Sequence, residues 1–220
     1  MTLHDAAKYL KINEGSVLKM AQSGEIPATK VMNQWRFMRS LINDWLMYKM
    51  KKFPPQMKID QTALKKDKPL EKLLKPELMN LEILPGPKSK ILGQLTFPLT
   101  NCGFLKRRKY FLDKLLDREN IMTTAIGNGV AVPHPRFPIP NLFPEPAIAL
   151  GICPKGTYYE APNGKLVKLF FTVCAMSDFQ HLHMLAKITR FASSKKALNK
   201  LLKAHSPDEV SSVVKEFPTT

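Results

Sequence analysis

"LLDRENIMTTAIGNGVAVPHPR", residues 115–136, holds one of the chain's five histidines between two prolines, shortly after a glycine turn. Pro135 drives His134 out of the helical region and Pro133 fixes its own φ, so the imidazole is presented from extended backbone rather than from a helix. Upstream, Gly127 and Gly129 allow positive φ and a close approach of backbone N–H groups to an anion, the geometry of a phosphate nest. A nucleophile beside an anion cradle suggests phosphoryl chemistry. By residue type alone, a loop histidine is equally an ordinary surface residue, and "GNG" an ordinary turn.

Outward from this stretch the pattern alternates helix and strand. "FLKRRKYFLDKLLDRE" (104–119) precedes it with apolar spacings of three and four, which predicts an amphipathic helix. "AIALGIC" (147–153), "TYYEA" (157–161) and "KLVKLFFTVCAM" (165–176) read as strands, with a hairpin about the turn "PNG" (162–164). "HLHMLAKITRFA" (181–192) and "KALNKLLKAH" (196–205) return to helical spacing. Ser206 caps a last helix, with Pro207 at its first position and Glu209 three residues after the cap.

The two histidines of "HLH" lie about 200° apart on a helix, so they do not share a face and do not form a metal clamp. His181 falls on the face of Leu185 and Ile188, His183 on that of Lys187 and Arg190. His181 is therefore the site candidate of the pair, although its face equally suits a core histidine.

Composition sets bounds. The 220 residues are 44% hydrophobic and 24% charged, which suits a folded protein. Three scattered cysteines without CxxC spacing encode neither a disulfide framework nor a zinc site. No stretch reaches the ~18 uninterrupted apolar residues of a membrane helix and no leader pattern opens the chain, so a cytoplasmic protein without membrane association is expected. The net charge of +16 favours acidic partners such as nucleic acid. Charge and proline usage separate three zones: a domain over 1–50, a basic Pro/Lys-rich linker over 51–79, and a larger domain over 80–220. Pro69 and Pro76 limit any helix around Leu70, Leu73, Leu74 and Leu78 to about two turns.

In the first zone, Ala6, Ala7 and Leu10 mark one short helix and Val17, Leu18 and Ala21 a second, a helix-turn-helix layout. Strand-like residues around "MNQ" follow, then a third helix carrying Leu41, Trp45 and Leu46. On "DAAKYLKI", "GSVLKMAQSGEIPATKV" and "WRFMRSLINDWL", residues 2–46 resemble the excisionase-type, MerR-like winged helix-turn-helix family. The resemblance implies that the second helix enters the major groove and the wing contacts the backbone, with Ser16, Lys19, Lys30, Arg36 and Arg39 as DNA contacts. The second helix carries only Lys19 as a basic residue, and Met32 and Asn33 stand where the family has a wing-tip glycine. Both departures suit a domain that binds protein instead.

In the third zone, "LLDRENIMTTAIGNGVAVPHPR" and "HLHMLAKITRFASSKKALNKLLKAHSPDEV", with the hairpin between them, resemble enzyme IIA of the fructose, mannitol and nitrogen-regulatory class of the phosphotransferase system. The resemblance implies an α/β fold, a mixed β-sheet flanked by helices. It also implies that His134 receives a phosphoryl group from an HPr-type carrier, with His181 as its hydrogen-bond partner and Arg118 and Thr124 bordering the site. No cofactor or metal is required of such a chain. Met122 stands where the family usually has a small residue.

The resulting expectation is a bacterial phosphotransferase-system regulator, phosphorylated on His134 and binding DNA, with homo-oligomerisation compatible. The alternative is a phosphocarrier or docking regulator of a kinase, transporter or enzyme, whose N-terminal domain binds protein. The proline-rich loop Phe137–Pro146 borders His134 and is expected to touch the basic N-terminal module in only one phosphorylation state.

Overall fold

Leu169, Phe171 and Val173 alternate with Phe170, Thr172 and Cys174 along one strand, and all six are buried. With a side-chain period of two, such a strand must be covered on both faces. A computed structural model describes residues 1–51 and 68–218.

The N-terminal unit runs α1 (Leu3–Leu10), α2 (Glu14–Gln22), β1 (Ala28–Val31), β2 (Gln34–Phe37) and α3 (Arg39–Lys51). Thr2 and Asp5 form a capping box at α1, and the Asn13 side chain caps α2. β1 and β2 pair antiparallel, with Val31 opposite Gln34. Met32 and Asn33 between them have φ of 48° and 61°, the two left-handed positions of a type I′ turn. The wing therefore closes without glycine. Ala6, Val17, Ile26, Phe37, Ile42 and Trp45 form this unit's own core.

The second unit begins with a single helical turn, α4 (Leu70–Leu73), and a 3₁₀ turn, Pro76–Leu78. Most of the expected linker, residues 52–67, lies outside the described residues. Its last part packs as domain, not as linker: Leu70, Leu73, Leu74 and Leu78 are buried. Leu74 and Asn80 bridge to Ile148 and Gly151 in the sheet. Then come α5 (Lys88–Asn101), α6 (Arg108–Ile121), β3 (Ala125–Gly127), β4 (Val130–Ala131), β5 (Ala147–Thr157), β6 (Val167–Cys174), α7 (Asp178–Ala192), α8 (Lys195–Leu201) and α9 (Pro207–Glu216). Tyr158–Ala161, expected to be strand, lie in the connection after β5, where Tyr159 turns fully into the core.

The sheet order is β3-β4-β6-β5, with β4 and β6 parallel and the other pairs antiparallel. One face (Ile148, Leu150, Leu169, Phe171) packs against α7–α9, the other (Ala147, Ala149, Phe170, Cys174) against α5 and α6. Gly151 lets α5 approach: a Cβ there would meet Leu95 Cδ2 at 2.3 Å and Ile83 Cδ1 at 2.6 Å.

The N-terminal unit is seated on α7. Leu41 joins the core cluster of the C-terminal unit, with Met38 packed beside it. In return, Leu182 of α7 packs against the N-terminal core. The proline-rich loop turns inward over part of its length. Its Leu142 and Phe143 fill the second core, and Glu145 pairs with Lys68 and Lys75, because apolar loop residues next to a half-covered sheet gain most by burial there.

Candidate active site

His134 follows β4, and its backbone is tied to the sheet by Val173 N–H donating to Pro133 O at 2.9 Å. Its Nδ1 lies 2.7 Å from Val132 O. A carbonyl oxygen only accepts, so Nδ1 carries the proton and the lone pair of the neutral ring belongs to Nε2. His181, in the first turn of α7, stands beside it with ring centroids 5.0 Å apart. Ser177 caps that turn.

Arg118 reaches the same place from the end of α6. Nη1 donates to Met122 O at 2.8 Å, and Nη2 donates to Asp44 Oδ2 at 2.6 Å. Asp44 belongs to α3 of the N-terminal unit, and the same Oδ2 lies 3.1 Å from His134 Nε2. Arg118 is 2% exposed and His134 1%, so neither is a surface residue in this arrangement. The prolines present His134 to Asp44 rather than to solvent.

Electrostatics follow from burial. Burial lowers the pKa of His181 to about 3, with the neighbouring His134 adding to the shift, so its ring is neutral across the ordinary pH range. Burial alone would raise the Asp44 carboxyl, but the bonds and charges of His134 and Arg118 outweigh it and hold the group below the usual carboxylate value. His181 Nε2 and Arg118 Nε are buried without hydrogen-bond partners among the described residues.

Thr124 does not point its hydroxyl at the histidines. Its N–H and Oγ1 both donate to the buried Glu119 carboxylate, at 3.0 and 2.6 Å. Lys88 stands 3.2 Å from the same carboxylate. Thr124 O accepts from Val132 N–H, so this network braces the strand that carries His134 and the helix end that carries Arg118.

The glycine cradle is corrected by the fold. Asn128 (φ 52°) and Gly129 (φ 75°) make the tight turn between β3 and β4. Asn128 Nδ2 donates to Ala192 O, at the far end of α7 from His181. That length of helix is about 16 Å at about 1.5 Å per residue. Gly127 and Gly129 thus serve the hairpin and lie away from His134. His183 also stands apart, its Nδ1 2.8 Å from Phe179 O.

Of the expected DNA contacts, Ser16, Lys19, Lys30 and Arg39 are exposed and Arg36 is half-buried. Lys30 lies over the Trp35 ring, Arg39 over Tyr9, and Arg36 donates to Gln34 Oε1 at 2.6 Å.

Sequence reasoning missed Asp44 and Glu119. The signal for Asp44 was present: it is one turn from Leu41 on a helix face that turns inward, where an acid is costly unless paired.

Residues 72–217 match the family described as phosphoenolpyruvate-dependent sugar phosphotransferase system, EIIA 2. The chain belongs to the EIIA type 2 family. Residues 1–47 match a helix-turn-helix domain. The chain is 30% identical over 142 residues to the fructose-specific EIIA component of Haloferax volcanii, a match spanning 64% of this chain and 90% of that protein. It is 26% identical over 149 residues to the fructose-specific EIIABC component of Bacillus subtilis, spanning 67% of this chain but only 23% of that larger protein. The EIIA domain also superimposes on the enzyme IIA of mannitol, solved in complex with phosphorylated enzyme IIB from Escherichia coli. The TM-score is 0.57 at 18% identity, over 65% of this chain and 97% of that one. Among the described residues of this EIIA protein no helix is long and apolar enough to cross a membrane.

Proposed function

We propose that this protein is a cytoplasmic regulator of a bacterial phosphotransferase system, phosphorylated on His134 Nε2 by an HPr-type phosphohistidine carrier, with an N-terminal domain that binds DNA. The observation that carries the reading is the Nδ1–H···O=C bond from His134 to Val132, which leaves Nε2 as the nucleophile beside Arg118 and neutral His181. The Nε2 lone pair attacks phosphorus and the donor's N–P bond breaks. Its electron pair returns to the donor imidazole, which leaves as a neutral ring with the proton that its other nitrogen already carried. Such a transfer needs positioning and charge stabilisation more than covalent help. Arg118 supplies fixed charge for the phosphoryl oxygens, and its free Nε with His181 Nε2 offers two further polar atoms to them. Thr124, through Glu119, is a positioning residue.

A groove beside the site suits the carrier. Tyr110, Ile121, Pro135, Phe137 and Pro140 line it, and Lys114 and Arg136 border it. The exposed Ile121 and Met122 extend its apolar rim.

Incubation with phosphorylated HPr-type carrier tests the reading: wild type forms an acid-labile, alkali-stable phosphoprotein and His134→Ala does not. Undiminished labelling of His134→Ala removes the assignment. A second reading, in which the N-terminal domain binds protein, is favoured by the single basic residue of α2 and by the domain's packing on α7.

A further inference from the structure

We propose that Asp44 is a built-in occupant of the phosphoryl-acceptor site: the N-terminal domain docks on the unphosphorylated EIIA domain, and His134 accepts a phosphoryl group only after Asp44 has left. The inference rests on the reading of His134 as the acceptor.

One carboxylate oxygen, Asp44 Oδ2, meets both Arg118 Nη2 at 2.6 Å and His134 Nε2 at 3.1 Å. These are the two groups that a bound phosphoryl needs. Because the Nδ1 proton is committed to Val132 O, a bond from Nε2 to a carboxylate requires a second proton, on Nε2 itself. A proton held between Nε2 and Oδ2 occupies the lone pair that would attack phosphorus, and the line of approach to Nε2 is filled by α3.

The contact is built rather than incidental. Leu41, one turn before Asp44 on α3, is 2% exposed and belongs to the core cluster of the EIIA domain. Leu182, next to His181 on α7, is packed into the N-terminal core. Apolar side chains thus cross the boundary in both directions around the charged pair.

Phosphorylation and docking exclude each other. A phosphoryl on Nε2 stands where Oδ2 stands now, competes for Arg118, and brings about −1.5 to −2 of charge against a carboxylate. Asp44 is expelled, and α3 leaves α7 with it. Ser16 and Lys19 of α2 and Lys30 of β1 remain exposed in the docked form, so docking gates the acceptor site rather than covering these residues.

The test is Asp44→Ala in the full chain, read in two ways. Diethyl pyrocarbonate acylates a free imidazole nitrogen and needs no carrier protein; peptide mass mapping follows His134, with exposed His205 as the internal standard. Both His134 acylation and phosphoryl transfer from phosphorylated HPr-type carrier should rise about tenfold, since reactivity scales with the undocked fraction. Asp44→Asn, which keeps the shape and loses the charge, should give an intermediate rise and serves if the alanine variant does not fold. His134 acylated at the wild-type rate in these variants overturns the proposal, as does transfer that is no faster. If acylation rises while no variant accepts a phosphoryl group, Asp44 is the occupant of the site and the acceptor reading of His134 is the part that fails.

Discussion

Asp44 and His134, ninety positions apart in sequence, meet at 3.1 Å across the boundary between the helix-turn-helix domain and the EIIA domain. The first is on a helix of the small domain and the second on the strand-end loop of the large one. Arg118 completes the triangle from a third element.

Arg118 serves both states, so its variants separate docking from transfer. Arg118→Ala should release Asp44 and still slow phosphorylation by about 10²-fold, the usual scale for losing a preorganised charge or donor at a transferring group. Arg118→Lys should recover part of the rate, because an ammonium restores charge without the two-armed fork that now holds Met122 O and Asp44. Quench-flow labelling with phosphorylated carrier checks the order; equal rates for wild type and both variants would remove Arg118 from the site.

His181 should make the protein acid-sensitive well above the carboxylate range. Its folded value of about 3 lies below the ordinary 6.5, so under that value the unfolded chain binds a proton that the folded chain refuses. Stability is full above 6.5 and falls toward about 3, by at most about 1.4 kcal/mol per pH unit. Asp44 acts in a different window: its lowered value adds stability above about 3.8 that is lost only as pH falls through the still lower folded value. Urea titrations at about pH 7.5 and about pH 5.5 should show the loss in wild type and a smaller one in His181→Gln.

Gly151→Ala should destabilise the EIIA domain by roughly 1–3 kcal/mol, since the new methyl overlaps Leu95 and Ile83 in a packed layer. The site residues are not touched. Denaturant midpoints measure the loss, and Leu95→Val in the same chain should return part of it by opening the space.

DNA binding, where it occurs, should be weak and mildly salt-dependent. Lys19→Ala and Lys30→Ala should each lower affinity across sequences and reduce the log–log salt slope by about 0.9. Mobility shifts over a range of potassium chloride give the slope. Absence of any complex at low salt with a folded domain would instead favour a protein partner.

What the sequence determined by itself is local. The cap at Ser206, the strands β5 and β6 and the two-helix start of the chain are set by residues within a few positions, and all stand in the fold. Helix α5 was not legible, because Pro98 and Gly93 interrupt its pattern while burial of Ile91, Leu92, Leu95 and Leu99 holds it. The hairpin glycines were read correctly as turn formers and misplaced as a phosphate cradle. Conformation is a property of the residue, but distance from His134 is a property of the strand register. Tertiary structure alone decided that Lys88 stands at the buried Glu119 carboxylate, that Arg118 is buried, and that Asp44 closes on His134. Each of these places charge inside the protein, which is tolerable only where partners distant in sequence converge on it.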